Sequence, residues 1–248
     1  MKDRTIGVLM GGMSSEREIS IASGRAVAGG LRRKGWKVVE IDVGPDLPGK
    51  LLESGVDVGW IALHGSFGED GCVQGLLEIM RIPYTGSGVQ ACAISMDKIA
   101  TKRALAGKGV RLPSDRVVRK GEDCGDVELP VVVKDPSGGS SIGVWICRTE
   151  TELQEALDEC SSEEIMREEY VEGEEITVAV LDGEALPVVS IRPKAGFFNL
   201  EAKYTKGETD YFVPAPISDE IALDAQHQAV ESYRNLKMGG IARADFIV

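Results

Sequence analysis

Apolar residues come along this chain as short continuous runs that alternate with longer segments where they recur at helical spacing. Residues 5–10 form one such run and stop at Gly11-Gly12, the pattern of a buried strand entering a tight turn. Ser15-Glu16-Arg17-Glu18 then offers a capping box, and Ile19, Ala22, Ala26, Ala28 and Leu31 carry the helix on. Gly35-Trp36-Lys37 closes that helix. Residues 37–43 read as a second strand and 58–63 as a third, followed by a polar glycine-rich loop and a helix over 73–80. This alternation predicts an open parallel sheet with crossover helices.

Residues 90–107 read as one helix, and from Pro113 the pattern changes. Residues 129–133 and 141–147 flank a glycine/serine loop as two strands of a hairpin would. A short amphipathic helix over 151–160 and a strand over 164–170 follow. Residues 175–181 and 185–191 read as paired strands joined by Asp182-Gly183, a hairpin turn signal. The polar stretch 197–212 reads as a long functional loop, 221–236 as the last helix and 241–248 as the last strand.

At 248 residues the chain is long enough for two or three packed subdomains. Its net charge of -12 excludes a nucleic-acid surface, which needs clustered Lys and Arg, but leaves room for a local basic pocket. The cysteines at 72, 92, 124, 147 and 160 are widely spaced and accompanied by only two histidines. That spacing fits neither a zinc site nor a disulfide framework. The first apolar run is too short for a signal segment, and no stretch is long enough to span a bilayer. The expectation is a cytoplasmic protein without a membrane or nucleic-acid partner.

Several segments carry chemistry, and each also has a plainer reading. Lys134-Asp135-Pro136-Ser137-Gly138-Gly139-Ser140-Ser141-Ile142-Gly143 lies between two β-rich runs. Its backbone N–H groups suit a flap over phosphates, with Lys134 as a point charge, or it is a Gly/Ser hairpin loop. The run beginning Gly11-Gly12-Met13-Ser14-Ser15-Glu16 suits a ligand at a helix N-terminus, or a simple cap. His64-Gly65 with Gly68-Glu69-Asp70-Gly71 stands at the carboxyl end of a strand, where ligands of open α/β sheets collect, or is a surface loop. The acidic run over 168–175 is either solvated or a linker whose backbone reads an adenine edge, with a carboxylate on the ribose.

Taken in order, these segments resemble the D-alanine–D-alanine ligases of the ATP-grasp family. The resemblance also uses Ile82-Pro83-Tyr84-Thr85-Gly86-Ser87-Gly88, Ser95-Met96-Asp97-Lys98, Glu201-Ala202-Lys203-Tyr204 and Arg243-Ala244-Asp245-Phe246, and it covers essentially the whole chain. It implies an α/β (α+β) ATP-grasp fold. An N-terminal open parallel α/β substrate domain (1–95) would precede a central subdomain with the phosphate flap (96–174) and a C-terminal subdomain (175–248), the last two enclosing ATP. One D-alanine carboxylate would attack the γ-phosphate to give D-alanyl phosphate, and the amine of a second would displace phosphate. The product would serve peptidoglycan synthesis.

Residue by residue, the resemblance makes Lys98 and Lys134 the phosphate-binding lysines, with Ser141 in the flap. It makes Glu168, Glu169, Tyr170 and Val171 the adenine hinge and Glu175 the ribose ligand. Glu16 would hold the ammonium of the first D-alanine and connect through Ser140 to Tyr204. His64 and Lys203 would contact substrate, and Arg243 would stabilise the tetrahedral centre. Tyr204 favours an amine over a hydroxy acid as acceptor. A homodimer is also implied.

Two departures stand out. Asp135 occupies a place where the family commonly has proline. The family holds two Mg²⁺ ions, with Mn²⁺ as an alternative, by an Asp, a Glu and an Asn, and only Asp245 matches. The sequence therefore reads as stopping before its Glu-x-Asn motif. That leaves open an inactive ATP- or D-alanine-binding fragment, or a D-alanine–D-lactate type ligase, as alternatives.

Overall fold

The computed structural model describes residues 3–122, 124–139, 143–194, 205 and 207–248. The chain divides into two compact units, Met1–Ala93 with Met238–Gly240 and Ile94–Lys237 with Ile241–Val248. In the first unit, β1 (Thr5–Gly11) lies between β2 (Lys37–Val43) and β3 (Val58–Ile61), all parallel. Helices α1 (Arg17–Arg33), α2 (Leu47–Ser54) and α3 (Cys72–Ile79) fill the connections.

The central strand is apolar at nearly every position because both faces of a parallel sheet are covered. Leu9 packs on one face with Ile41, Val43, Leu51 and Leu77. Ile6 and Val8 pack on the other with Ala28 and Ala62. Helix α1 closes on β1 at Gly24, where a Cβ would fall 2.5 Å from that of Met10. Only glycine permits that approach.

Helix α4 (Val89–Met96) carries the chain into the second unit, where α5 (Lys98–Leu105) follows at once. The expected single helix over 90–107 is therefore two. Asp97 takes an extended conformation and its carboxylate accepts the Ala100 N–H at 2.9 Å. An N-cap signal here outranks the apolar periodicity.

A four-stranded antiparallel sheet comes next, ordered β4 (Asp115–Arg119), β7 (Glu164–Glu169), β5 (Val131–Lys134) and β6 (Val144–Cys147). Helix α6 (Glu150–Glu159) covers it through Leu153 and Ala156, against Val131, Val133 and Ile165. The second sheet runs β11 (Thr209–Phe212), β10 (Val189–Pro193), β8 (Glu175–Leu181), β12 (Ile241–Ile247), with β9 (Glu184–Ala185) also on β8. Helix α7 (Asp219–Asn235) is capped by the Ser218 hydroxyl.

Three further expectations need correction, and one helix was not anticipated. The capping box does not form at residues 15–18, since Glu16 is the N-cap of α1 and makes no side-chain cap bond. The expected strand 185–191 is split, because Pro187 supplies no N–H to a ladder. Strand β11 emerges inside the segment read as loop. Helix α2 went unread because its Pro48 looks like a breaker, whereas at the first turn proline is tolerated.

A complete capping box forms instead at α6, between Thr149 and Glu152. Thr149→Ala is expected to cost about 1 kcal/mol, read as a lower urea midpoint at unchanged slope.

Candidate active site

In the first unit the loops after β1 and β3 meet around Glu16, which is 6% exposed. The Ser14 hydroxyl donates to the His64 carbonyl at 2.6 Å and accepts the Glu16 N–H at 3.2 Å. Gly65, at φ +70, lies so close that a Cβ there would fall 2.8 Å from Glu16 Oε2. Half-buried His64 has its Nε2 3.4 Å from the Ser23 hydroxyl. The structure thus brings Glu16 and the His64-Gly65 loop together.

The surrounding loops are held by their own acids. Arg17 makes a two-point ion pair with Asp42, at 2.7 and 2.6 Å, and donates to the Gly12 carbonyl. Glu69 accepts the Gly65 N–H at 2.6 Å, and Asp70 accepts those of Phe67 and Cys72. Burial opposes ionisation of Asp70, but those backbone donors outweigh it and lower its pKa.

In the second unit, Lys98 and Lys134 converge at the base of the 134–143 loop. Lys98 Nζ donates to the Asp135 carbonyl at 3.0 Å and the Gly138 carbonyl at 2.5 Å. Its own N–H bonds the Pro136 carbonyl at 2.9 Å. Burial first, then repulsion from Lys134, lowers the pKa of Lys98. Two cations crowded at a loop rich in backbone N–H groups form a natural receptor for phosphate. The Asp135 carboxylate is turned to accept the Ser137 N–H and hydroxyl, at 3.0 and 3.1 Å. The departure at position 135 therefore builds a turn at the start of the loop.

Lys134 Nζ also meets Glu168 Oε2, while Glu168 Oε1 accepts from Lys102 at 2.7 Å. Glu168 is only 5% exposed. Its carboxylate is thus committed to two lysines and not presented to a base edge. Glu169 points the opposite way and accepts the Ser114 N–H at 2.8 Å. Tyr170 and Val171 follow beyond β7, with the Arg148 guanidinium 5.8 Å from the Tyr170 ring centre. Glu175 begins β8, opposite Ile247 of β12.

A cavity of about 440 Å³ opens beside this segment, lined in part by Arg116, Leu129, Pro130, Arg167 and Tyr170. Asp115 and Glu168 also border it, while its arginines belong to the other face of the sheet. Arg167 pairs with Val133 and Arg116, whereas Lys134 pairs with Met166 and Glu168 with Val132. Alternation places the two arginines on the face opposite Lys134 and Glu168.

On β12, Arg243 and Asp245 project to the same side and form an ion pair with Nε–Oδ1 3.0 Å. The Thr177 hydroxyl donates to the same Oδ1 at 2.6 Å. A hard cation needs several oxygen ligands. Asp245 is one carboxylate, already engaged, and no group of three acidic, His or Cys side chains among the described residues could hold a metal. The donor set fits a metal only in part.

Ser140, Ser141, Lys203 and Tyr204 lie outside the described residues. Sequence reasoning missed Lys102, Asp115 and Thr177. Lys102 had one signal, its place four residues after Lys98 on the same helix face. No helix among the described residues is long and apolar enough to cross a membrane.

The chain is similar to known proteins over its whole length. Residues 109–248 match the family model described as D-ala D-ala ligase C-terminus, and residues 46–87 the one described as D-ala D-ala ligase N-terminus. It is 44% identical to the D-alanine–D-alanine ligase of Syntrophotalea carbinolica, covering 100% of this chain and 83% of that one. It is 45% identical to that of Citrifermentans bemidjiense, covering 100% and 82%. Among solved structures, the Bacillus anthracis D-alanine–D-alanine ligase complexed with ATP matches with TM-score 0.85 and 34% identity, covering 99% of this chain and 82% of that one. The VanG D-Ala:D-Ser ligase of Enterococcus faecalis matches with TM-score 0.80 and 26% identity, covering 98% and 86%.

Proposed function

The chain belongs to the D-alanine–D-alanine ligase family, and on that premise we propose how its residues divide the work of joining two D-alanines with ATP. The protein is an ATP-dependent ligase of the ATP-grasp fold, acting in peptidoglycan synthesis. The observation that carries the residue assignment is the convergence of Lys98 and Lys134 at the base of the 134–143 loop.

Lys98 and Lys134 bind the ATP phosphates, with Ser141 and the loop closing over them. The backbone of 168–171 reads the adenine edge and Glu175 the ribose hydroxyls. Glu168 acts through its hold on Lys134 and not as a ligand of the base. Glu16 pairs with the ammonium of the first D-alanine, next to His64, and so orients its carboxylate for attack on the γ-phosphate. D-alanyl phosphate and ADP result. The amine of the second D-alanine then attacks the acyl carbon, and phosphate leaves from the tetrahedral intermediate. Arg243 stabilises the negative charge on that centre, and Lys203 neutralises carboxylate or phosphate charge. Ser140 and Tyr204 assist closure and exclude water, which would otherwise hydrolyse the acylphosphate.

Asp245 would supply one oxygen ligand to Mg²⁺, or to Mn²⁺ in its place. Bound there, the ion would neutralise phosphate charge. The same reading places the protein in the cytoplasm as a homodimer, with the substrate domain over 1–95 and the two ATP-grasp subdomains over 96–174 and 175–248.

Incubation with ATP and D-alanine tests the reading, with ADP, phosphate and dipeptide followed together. Equal amounts of all three are expected. When D-lactate replaces the second D-alanine at neutral pH, little ester should form. Ester formation as efficient as amide formation would overturn the acceptor assignment.

A further inference from the structure

Lys102 is the most fully committed ammonium near the phosphate lysines. Its side chain is 10% exposed. Nζ reaches Glu168 Oε1 at 2.7 Å, Asp115 Oδ1 at 2.9 Å and the Pro113 carbonyl at 2.5 Å. An ammonium has three protons, so each has an acceptor. Asp115 and Glu168 are direct cross-strand neighbours on β4 and β7, a like-charge pair that is unfavourable unless a cation bridges it. Lys102, reaching across from α5, is that bridge.

The second oxygen of Glu168 is taken by Lys134, whose side chain is 27% exposed. Glu168 therefore stands between a locked lysine and a more open one. When Lys134 turns to a phosphate, Glu168 keeps Lys102 as its partner. Without Lys102, the same movement would strand a buried carboxylate with no cation, which is strongly unfavourable. Lys134 would then stay on Glu168 and be withheld from the nucleotide.

We infer that Lys102 is a positioning residue that holds the charge of Glu168 and Asp115, so that Lys134 is released to the phosphates of ATP. This rests on the assignment of Lys134 as a phosphate ligand. Lys102 does not itself touch the nucleotide in this scheme.

The test compares the affinities of the full chain for ATP and for adenosine, which has the base and ribose but no phosphate. Lys102→Met is expected to weaken ATP about 10- to 100-fold while leaving adenosine nearly unchanged. Adding Glu168→Gln to Lys102→Met removes the stranded charge and should recover most of the lost ATP affinity. The double variant also remains informative should the single one fold poorly. Equal losses for ATP and adenosine, or no recovery in the double variant, would overturn the inference. Lys134→Met separates the two levels. If it leaves ATP affinity intact, the phosphate assignment itself fails. If it weakens ATP while Lys102→Met does not, only the role of Lys102 fails.

Discussion

Glu16→Gln is expected to lower kcat/KM for D-alanine by about 10²- to 10³-fold while leaving the affinity for ATP nearly unchanged. The substitution keeps shape and hydrogen-bonding capacity but removes the charge that would meet the substrate ammonium. Glu16 is 6% exposed and sits where α1 begins, so little water would screen the pair. Its place is fixed by backbone as much as by side chains, because Gly65 approaches so closely that a Cβ there would lie 2.8 Å from Glu16 Oε2. Gly65→Ala should therefore reproduce part of the defect by pushing the carboxylate aside. Steady-state kinetics with each substrate varied in turn checks both variants. An equal loss in ATP and D-alanine parameters for Glu16→Gln would point to a fold defect and refute a specific ammonium contact.

The parallel sheet was legible because its apolar runs end at glycines or acids that mark the turns, as at Gly11-Gly12. The proposed phosphate role of Lys98 came from the family resemblance, and Lys134 also stood out by its place before a glycine/serine loop. The pairing of Glu168 was not. Residues 168–175 are so acidic that composition alone suggests a solvated run. Strand parity decides otherwise, turning Glu168 inward to Lys102 and Lys134 and Glu169 outward to the Ser114 N–H. Parity is visible only once the register of β7 against β4 and β5 is known. The partners of Lys102 were hidden for a related reason, although its spacing from Lys98 was a signal. A lysine on a short amphipathic helix ordinarily lies on the surface, and nothing nearby in sequence announces Asp115 and Glu168 as its partners. The break at Asp97 belongs with these, since its extended backbone and its cap on the Ala100 N–H show only in the structure.

Lys134→Met should reduce kcat/KM for ATP by about 10²- to 10³-fold, because on the proposed assignment it removes a positive charge that would meet the transferring phosphates. Its effect on folding should be small by comparison. Glu168 would lose one partner but keep Lys102 at 2.7 Å, so no carboxylate is left bare. The aliphatic stem of Met also fills much of the space of the lysine chain on β5. The decisive measurement pairs thermal unfolding with ATP kinetics on the same preparation. A near-native Tm together with a large loss in kcat/KM for ATP separates a phosphate ligand from a structural ion pair. A large drop in Tm with proportionate loss toward both substrates would make Lys134 chiefly a partner of Glu168. The contrast with Lys102→Met is informative because both variants remove one cation from the same carboxylate. Only loss of the more buried lysine should weaken ATP in a way that neutralising Glu168 repairs. In Lys134→Met the cation proposed to meet the phosphates is itself missing, and Glu168→Gln can restore nothing.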